Sequence, residues 1–484
     1  MNPSSAVISK SCFDTAYPIR NYFWSKLENP TQRESAMHEG SLYVDGTDTH
    51  NIYNVTLNGQ YLYCYQHDSK DIVKMIKLDF QRTELIEIDR QGVIWFALKL
   101  KSSGSQAFLL SQEKVVIAKW HKCLRGFVIN HDFSKKYDMK ELIGEGSFSK
   151  VYKIAQKRTK KIYAAKIIEH SKIFEEGDSI EKLVCQEIEI LRKLDHPSIP
   201  KLVEVHEVDS KVILVMEYFS GVHLDETFTK DLSQSDILMI TLNLVKVIDH
   251  LREVGIVHRD IKPQNFLFNR ETQYDGIRVG LIDFGLSAYS SLRPMYTNCG
   301  TLGYVAPETL KTKFYQQIAA DHKSDMFCIG IILYELVYGQ NPFIQDDAPR
   351  TDVVYRRNAQ ARIDLQDFDK RGDLVNQDLR TMLKSLLKQK PEERPRSDEL
   401  LFKFSSLQGI MVKGKNEFSE FSEDTTNSLS SAKVYTFKVK QSKFKSNSVK
   451  TSSSEEIETN SSTFKELTTT FEYKSSSNST TKSQ

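Results

Sequence analysis

The sequence predicts an α+β protein with two folded domains and a disordered tail. The chain has 484 residues, which is longer than a single hydrophobic core normally supports. Residues 39–110 alternate apolar and polar side chains in short runs, a pattern typical of antiparallel strands. Residues 138–406 contain both strand-like and amphipathic helical runs, whereas residues after about 411 are too polar to bury a core.

The first domain is predicted to be a small antiparallel sheet closed by a helix. Asn58 and Gly59 separate two of its apolar runs, and both residues accept positive φ, which indicates a two-residue hairpin. After Ser111, a candidate helix cap, apolar residues recur at helical spacing as far as Leu124. The predicted strand segments are 40–44, 52–57, 61–65, 73–78 and 92–98.

The strongest chemical signal lies in residues 258–285. This stretch begins with His-Arg-Asp and ends with Asp-Phe-Gly, strings that are each short enough to occur by chance. Asp260 can accept or orient a hydroxyl proton, and Lys262 can reach a transferred phosphate. Asn265 and Asp283 offer the hard oxygen ligands that Mg²⁺ prefers. The order and spacing of these residues therefore indicate phosphoryl transfer.

Two further motifs precede this stretch in the chain. In residues 143–151, Gly144 and Gly146 let the backbone approach a phosphate closely. Residues 163–168 form an apolar, β-favouring run with one lysine, Lys166. That arrangement suits a strand that delivers a cation to nucleotide phosphates.

A lysine in a buried strand needs an acidic partner. Glu187 lies in an amphipathic run, residues 185–194, that ends before Asp-His-Pro. The residue is either a solvated helix glutamate or the partner of Lys166. Its place in the chain order favours the ion pair.

With these motifs in this order, residues 138–405 resemble the eukaryotic protein kinase catalytic domain. The resemblance implies a two-lobed fold that uses ATP and Mg²⁺ to phosphorylate protein substrates. It also implies that Glu308 pairs with Arg394 and that Asp325 anchors the catalytic loop. The residues that it places around the nucleotide are Ile143, Gly144, Glu145, Gly146, Ser147, Phe148, Val151, Ala164, Lys166, Met216, Glu217, Phe219, Leu267 and Asp283.

Two residues resemble those of the serine/threonine class, Lys262 in the catalytic loop and Thr301 in the activation segment. Residues 214–224 and 299–308 are most similar to calcium/calmodulin-dependent kinases. Ser149 replaces the third glycine of the glycine-rich loop, a change that such kinases tolerate.

Two departures from the family pattern bear on substrate choice. Many kinases that prefer arginine upstream of the target hydroxyl carry acidic residues at the positions held here by His223 and Gln264. Asp225 and Glu226 lie close by in the sequence and offer partial compensation. We therefore expect that an arginine three residues before the target is not strongly required.

The activation segment, residues 283–308, contains candidate regulatory sites. Arg259 precedes the catalytic aspartate, where an arginine commonly binds a phosphate that orders this segment. Thr297 occupies the usual position of the phosphorylated residue. The alternative is a surface loop that is merely rich in hydroxyl groups. The weaker candidates are Ser290, Ser291 and Tyr296.

Residues 36–127 resemble the pleckstrin-homology fold, a β-barrel or sandwich capped by a helix. Residues 39–42 match its first strand, and Trp120 matches its helix tryptophan. Members that bind phosphoinositides carry basic residues between the first two strands, but Asp45 and Asp48 here would repel that headgroup. We therefore favour binding to a protein, or intramolecular control of the kinase, over lipid recruitment.

The remaining segments lie outside the two predicted domains. Residues 1–35 are predicted to be flexible, and residues 128–137 to form a short link. Residues 411–484 are predicted to be a disordered tail, since about two in five are serine or threonine. Its basic, aromatic run at residues 433–440 is typical of a solvated tail, with calmodulin, an acidic membrane or the kinase cleft as alternative ligands.

The composition favours the cell interior. The net charge is +2, no apolar run reaches membrane-spanning length, and the first ten residues lack a secretory core. The six cysteines lack metal-binding spacing, which favours reduced thiols over zinc sites or disulfides. We expect a cytoplasmic protein without a nucleic-acid partner, with peripheral membrane association as the alternative.

The sequence as a whole predicts an ATP-dependent protein serine/threonine kinase that is controlled by its activation loop and its N-terminal domain. Two alternatives remain open, a pseudokinase scaffold and a membrane-recruited adaptor. The scaffold is disfavoured because the residues that pseudokinases usually lose are intact, namely Lys166, Asp260, Asn265 and Asp283.

Overall fold

The structure is a computed structural model. Several predicted features lie outside the residues that it describes, among them Ser147, Phe148, Thr297 and the tail. The described residues are 36–45, 52–66, 72–78, 80–102, 105–146, 149–170, 178–227, 232–271, 276–290, 299–310, 321–344, 350–361, 363 and 377–403.

The described residues up to Val128 form a strand-rich unit, which we call the N-terminal module. Its strands are antiparallel and follow the order β4-β3-β2-β1-β7-β6-β5. The predicted hairpin forms, but the prediction that Asn58 lies in its turn is wrong. Asn58 ends β2 and pairs with Tyr61, so the two turn residues are Gly59, with a φ of +52°, and Gln60. The strands are β1 (His38–Asp45), β2 (Ile52–Asn58), β3 (Tyr61–Gln66), β4 (Ile72–Lys77), β5 (Arg82–Arg90), β6 (Val93–Ser102) and β7 (Ser105–Ser111).

Helix α1 (Lys114–Leu124) closes the module, with Trp120 buried in its core. The prediction that Ser111 caps this helix is wrong. Strand β7 extends through Ser111, so the helix starts later, after Glu113, which makes no side-chain cap. The Ser111 hydroxyl instead accepts a hydrogen bond from the Glu113 backbone N–H at 3.1 Å.

The link after the module contributes a short strand, β8 (Ile129–Asn130). It pairs in parallel with β5 of the module and with β12 of the domain that follows. One thirteen-stranded sheet therefore runs through both units. The other elements of this region are α2 (Phe133–Lys136), β9 (Tyr137–Glu145), β10 (Ser149–Gln156), β11 (Ile162–Glu169), α3 (Asp178–Lys193), β12 (Leu202–Val208) and β13 (Lys211–Glu217).

The second lobe is mainly helical and is organised around α6 (His322–Tyr338), whose residues from Asp325 to Val337 are buried. A capping box of Ser233 and Asp236 starts α4 (Gln234–Glu253).

No described helix is long and apolar enough to cross a membrane. The remaining elements are β14 (Val222–His223), β15 (Ile256–Val257), β16 (Phe266–Glu271), β17 (Gly276–Leu281), β18 (Ala288–Tyr289), α5 (Pro307–Leu310), α7 (Thr351–Gln360), α8 (Gln377–Leu386) and the 3₁₀ turns Leu224–Thr227, Pro263–Asn265 and Pro391–Glu393.

Candidate active site

Lys166 on β11 joins two carboxylates that come from different parts of the chain. Its Nζ lies 2.6 Å from Glu187 Oε1 on α3 and 3.0 Å from Asp283 Oδ1. Burial alone would lower the pKa of Lys166, but Asp283 and Glu187 outweigh burial and raise it. The lysine is therefore a fixed cation at the junction of the two lobes.

Asp325 holds the catalytic loop from the buried helix α6. Its carboxylate accepts the backbone N–H groups of His258 at 2.8 Å and of Arg259 at 3.0 Å. Arg259 adopts a left-handed φ of +69°, a strained conformation for a residue other than glycine. Burial raises the pKa of Asp325 to about 6, although the two N–H groups favour its charged form. The two hydrogen bonds stabilise the strained backbone next to Asp260.

Asp260, Lys262 and Thr301 form a compact cluster. Lys262 Nζ lies 2.9 Å from Asp260 Oδ2 and donates to Thr301 Oγ1 at 2.8 Å. The Thr301 hydroxyl in turn donates to Asp260 Oδ1 at 2.7 Å. Lys262 and Thr301 thus hold the two oxygens of the Asp260 carboxylate, the group that the sequence predicts to orient an acceptor hydroxyl.

Asn265 and Asp283 fit the requirements of Mg²⁺. The Asn265 amide nitrogen donates to the Asp260 backbone oxygen at 2.8 Å, and the Asn265 backbone oxygen accepts Ile282 N–H at 3.0 Å. These bonds bring Asn265 next to Asp283. Burial would raise the pKa of Asp283, but Lys166 outweighs this and lowers it to about 2, so the carboxylate is charged at neutral pH. One amide oxygen and one carboxylate are ligands that suit Mg²⁺.

Most predicted nucleotide-binding residues lie on paired strands of the smaller lobe. Val151 pairs with Gly144 on one side and with Lys166 on the other. Ala164 pairs with Met216, which is buried at the end of β13. The pairing places the glycine-rich strand, the lysine and Met216 in one continuous surface.

The loop between β9 and β10 contains the other glycine-rich residues. Gly146 N–H donates to the Ser149 backbone oxygen at 2.8 Å. Ile143 and Glu145 are exposed on β9. Of the predicted residues here, only Ser147 and Phe148 lie outside the described part of the chain.

Phe219 and Leu267 are both next to Gly280 of β17. Leu267 on β16 pairs with Gly280, and a Cβ atom on Gly280 would lie 2.6 Å from the Phe219 ring. The guanidinium of Arg278 covers the same ring at 4.7 Å from its centroid.

Glu217 ends β13, and its backbone N–H donates to the Lys201 oxygen at 3.0 Å.

Two residues of the second lobe, Arg394 and Asn358, bind the end of the activation segment. Arg394 makes a bidentate pair with Glu308, with distances of 2.7 and 2.6 Å, as the family resemblance implied. Sequence reasoning missed Asn358, which accepts Gly303 N–H at 3.0 Å and donates to the Val305 oxygen at 2.7 Å. No motif marks Asn358, because it is a single polar residue in the polar helix α7.

The comparison with protein families gives a match to the protein kinase domain over residues 137–403. This is more than half of the chain, and the chain therefore belongs to the protein kinase family. The matched residues begin after the N-terminal module.

Three relatives illustrate the similarity. Mouse serine/threonine-protein kinase DCLK3 is 33% identical over 276 residues, which are 57% of this chain and 33% of that protein. Myosin light chain kinase A of Dictyostelium discoideum is 37% identical over 221 residues, 45% of this chain and 72% of that protein. Rat calcium/calmodulin-dependent protein kinase type 1B is 30% identical over 266 residues, 54% of this chain and 73% of that protein. The chain thus spans about a third of the first relative and about seven tenths of the other two.

Proposed function

We propose that this chain is a protein serine/threonine kinase that transfers the γ-phosphate of ATP to protein hydroxyl groups. The observation that carries the proposal is the joint contact of Lys166 with Glu187 and Asp283. This contact connects strand β11, helix α3 and Asp283, the candidate magnesium ligand. The relatives named above are themselves protein kinases.

Each residue has a defined part in the proposed reaction. Asp260 orients the acceptor hydroxyl and takes its proton as the oxygen attacks, while Lys262 neutralises charge on the transferred group. Lys166 binds the α- and β-phosphates. Asn265 and Asp283 would hold Mg²⁺, which would supply further neutralisation of the phosphate charge. The protein thus contributes mainly positioning and electrostatics.

The transfer of labelled γ-phosphate to a serine/threonine peptide library tests this function. We expect the wild type to label serine and threonine, and Asp283→Ala to label neither. A wild type that binds Mg-ATP but transfers no phosphate would instead support the pseudokinase scaffold. Phosphoamino-acid analysis that found only phosphotyrosine would contradict the proposed specificity.

The substrate preference follows from hydrogen bonds near the catalytic loop. Gln264 Nε2 donates to Asp225 Oδ2 at 2.8 Å, and His223 Nδ1 lies 2.8 Å from the Gln264 backbone oxygen. The Asp225 carboxylate is therefore already hydrogen-bonded by the neutral amide of Gln264, which leaves it less able to bind a substrate arginine. A peptide array dominated by arginine three residues before the target would contradict the expectation that this arginine is dispensable.

We also propose that the N-terminal module is pleckstrin-homology-like. Seven antiparallel strands and a closing helix with buried Trp120 support this proposal. The module serves protein binding or control of the kinase rather than phosphoinositide binding, and the protein is cytoplasmic. Headgroup-selective binding of the full chain to liposomes, with membrane-peripheral localisation, would favour the adaptor alternative. The loop that contains Asp48 lies outside the described residues.

A further inference from the structure

Helix α3, which carries Glu187, contacts the N-terminal module through its last turns. The guanidinium of Arg192 lies 5.6 Å from the centroid of the Phe80 ring, within the range of a cation–π interaction. Lys77 Nζ lies 3.9 Å from Glu189 Oε1. Both helix residues are within about two turns of Glu187, since an α-helix has about 3.6 residues per turn.

The module itself is fixed to the same lobe at a second place. Arg125, just after α1, makes a bidentate contact with Asp132 at 2.9 and 2.7 Å and also reaches Glu204 on β12 at 3.0 Å. Asn130 on β8 donates to the Arg125 oxygen at 3.0 Å and to the Val205 oxygen at 3.1 Å.

In this second contact Arg125 and Glu204 are largely buried, and each is paired with a group of opposite charge. Glu204 also accepts hydrogen bonds from Lys136 and from the Tyr137 hydroxyl, and it lies 3.0 Å from His206. Burial opposes ionisation of Glu204, but its hydrogen bonds with His206 and Arg125 lower its pKa well below the usual range. The module is therefore anchored to β12 independently of α3.

An anchored module can restrict the movement of the helix that it touches. Because β8 continues the sheet from β5 into β12, Phe80 and Lys77 are held at a fixed distance from the strands of the lobe. Arg192 and Glu189 then fix the end of α3 against that surface. The same helix must stay in place for Glu187 to reach Lys166.

We propose that the N-terminal module is an intramolecular activator, which holds α3 in the position where Glu187 pairs with Lys166. Phe80 and Lys77 are positioning residues that act through α3. This inference rests on the proposed kinase function and names the regulation of its active site. A purely structural contact would stabilise the module without changing either α3 or the rate of phosphate transfer.

Point variants of the full chain test the proposal. Phe80→Leu removes the aromatic face with little loss of volume, and Phe80→Tyr keeps the face. Lys77→Glu reverses one charge, and the double variant Lys77→Glu/Glu189→Lys restores the opposite signs. The matched control is Lys114→Glu, because Lys114 pairs with Glu87 at 3.0 Å on the exposed surface of the same module.

Two measurements are made on each variant, kcat/KM with a peptide substrate and hydrogen–deuterium exchange of residues 178–193. We expect Phe80→Leu and Lys77→Glu to speed exchange in this helix and to lower kcat/KM by about twofold to tenfold. Phe80→Tyr and the double variant should stay near the wild type. Exchange of strands β1 to β7 shows whether the module remains folded.

The proposal is overturned if helix exchange and kcat/KM stay at wild-type values in Phe80→Leu and Lys77→Glu, or if Lys114→Glu changes both equally. Helix exchange needs no phosphate transfer. An inactive wild type would therefore refute the proposed function, while the exchange data would still decide whether the module holds α3.

Discussion

The hydroxyl of Thr301 lies 2.7 Å from Asp260 Oδ1, to which it donates a hydrogen bond, and it accepts one from Lys262 at 2.8 Å. The Thr301 side chain of the activation segment thus connects the Asp260 carboxylate and the Lys262 ammonium group of the catalytic loop. Because Asp260 and Lys262 are both charged, each hydrogen bond is stronger than one between two neutral groups. The position of Asp260 depends on the segment through this contact.

Thr301→Ala should lower kcat about tenfold or more, because it removes hydrogen bonds with two charged groups, each contributing about 1.5–3 kcal/mol. Thr301→Ser keeps the hydroxyl and should retain most of the activity. Steady-state kinetics of both variants provide the measurement. Thr381→Ala is the control, since its exposed hydroxyl donates only to the Gln377 oxygen of its own helix. Equal kcat for Thr301→Ala and the wild type would contradict the inferred connection.

Arg394→Ala should destabilise the second lobe by about 3–5 kcal/mol, because the substitution leaves the partly buried Glu308 without its bidentate partner. The Arg394 side chain is 0% exposed. The matched variant Arg396→Ala breaks a pair with Asp398 in which Arg396 is 50% exposed, and it should cost less than about 1 kcal/mol. Thermal unfolding of the two variants should show a much larger fall in Tm for Arg394→Ala; similar shifts would argue against the buried pair.

The stability of the second lobe should fall as the pH rises from about 4.5 to about 7. Burial raises the pKa of Glu335 to about 7. The ordinary pKa of this group is 4.5. Between pH 4.5 and about 7, the folded state therefore binds the Glu335 proton more tightly than the unfolded state does. The free energy of unfolding contributed by this group therefore decreases with increasing pH over that window, by about 3 kcal/mol. In Glu335→Gln this part of the pH dependence should disappear from the Tm profile, and an unchanged profile would contradict the assignment.

Phosphorylation of Thr297 should activate the kinase, since Arg259 next to Asp260 offers a cation for the phosphate. We expect phosphate at Thr297 in the active protein by mass spectrometry and an activity at least about tenfold lower for Thr297→Ala. Thr381→Ala is again the control, because its exposed hydroxyl lies outside the activation segment and donates to the Gln377 oxygen of its own helix. Full activity of Thr297→Ala, in protein without phosphate at this position, would refute the switch.

The sequence names candidate active-site residues, but it shows less of the architecture around them. Phosphoryl transfer needs particular groups in a set order, so motifs identify Lys166, Asp260 and Asp283 even though they are far apart in the chain. The hairpin at Gly59 was predictable for a similar reason, because few residues accept positive φ.

The connection between the module and the large domain was not predictable. Strand β8 has only two residues and so shows no periodicity. The apolar residues of strand β5 alternate with charged ones, and Leu85 is 50% exposed. The sequence of β5 therefore does not indicate a strand inside a larger sheet. Arg125 and Glu204 are 79 residues apart, and nothing in either local sequence indicates their contact. Such contacts depend on tertiary packing rather than on local pattern.

The most direct test of the account is the rate of γ-phosphate transfer by Asp260→Asn, measured together with its affinity for Mg-ATP. The substitution removes the base but keeps the size of the side chain. We predict a fall in kcat of about 10²–10⁴-fold with little change in nucleotide affinity. Phosphate transfer at the wild-type rate would contradict the central claim that Asp260 orients and deprotonates the acceptor hydroxyl.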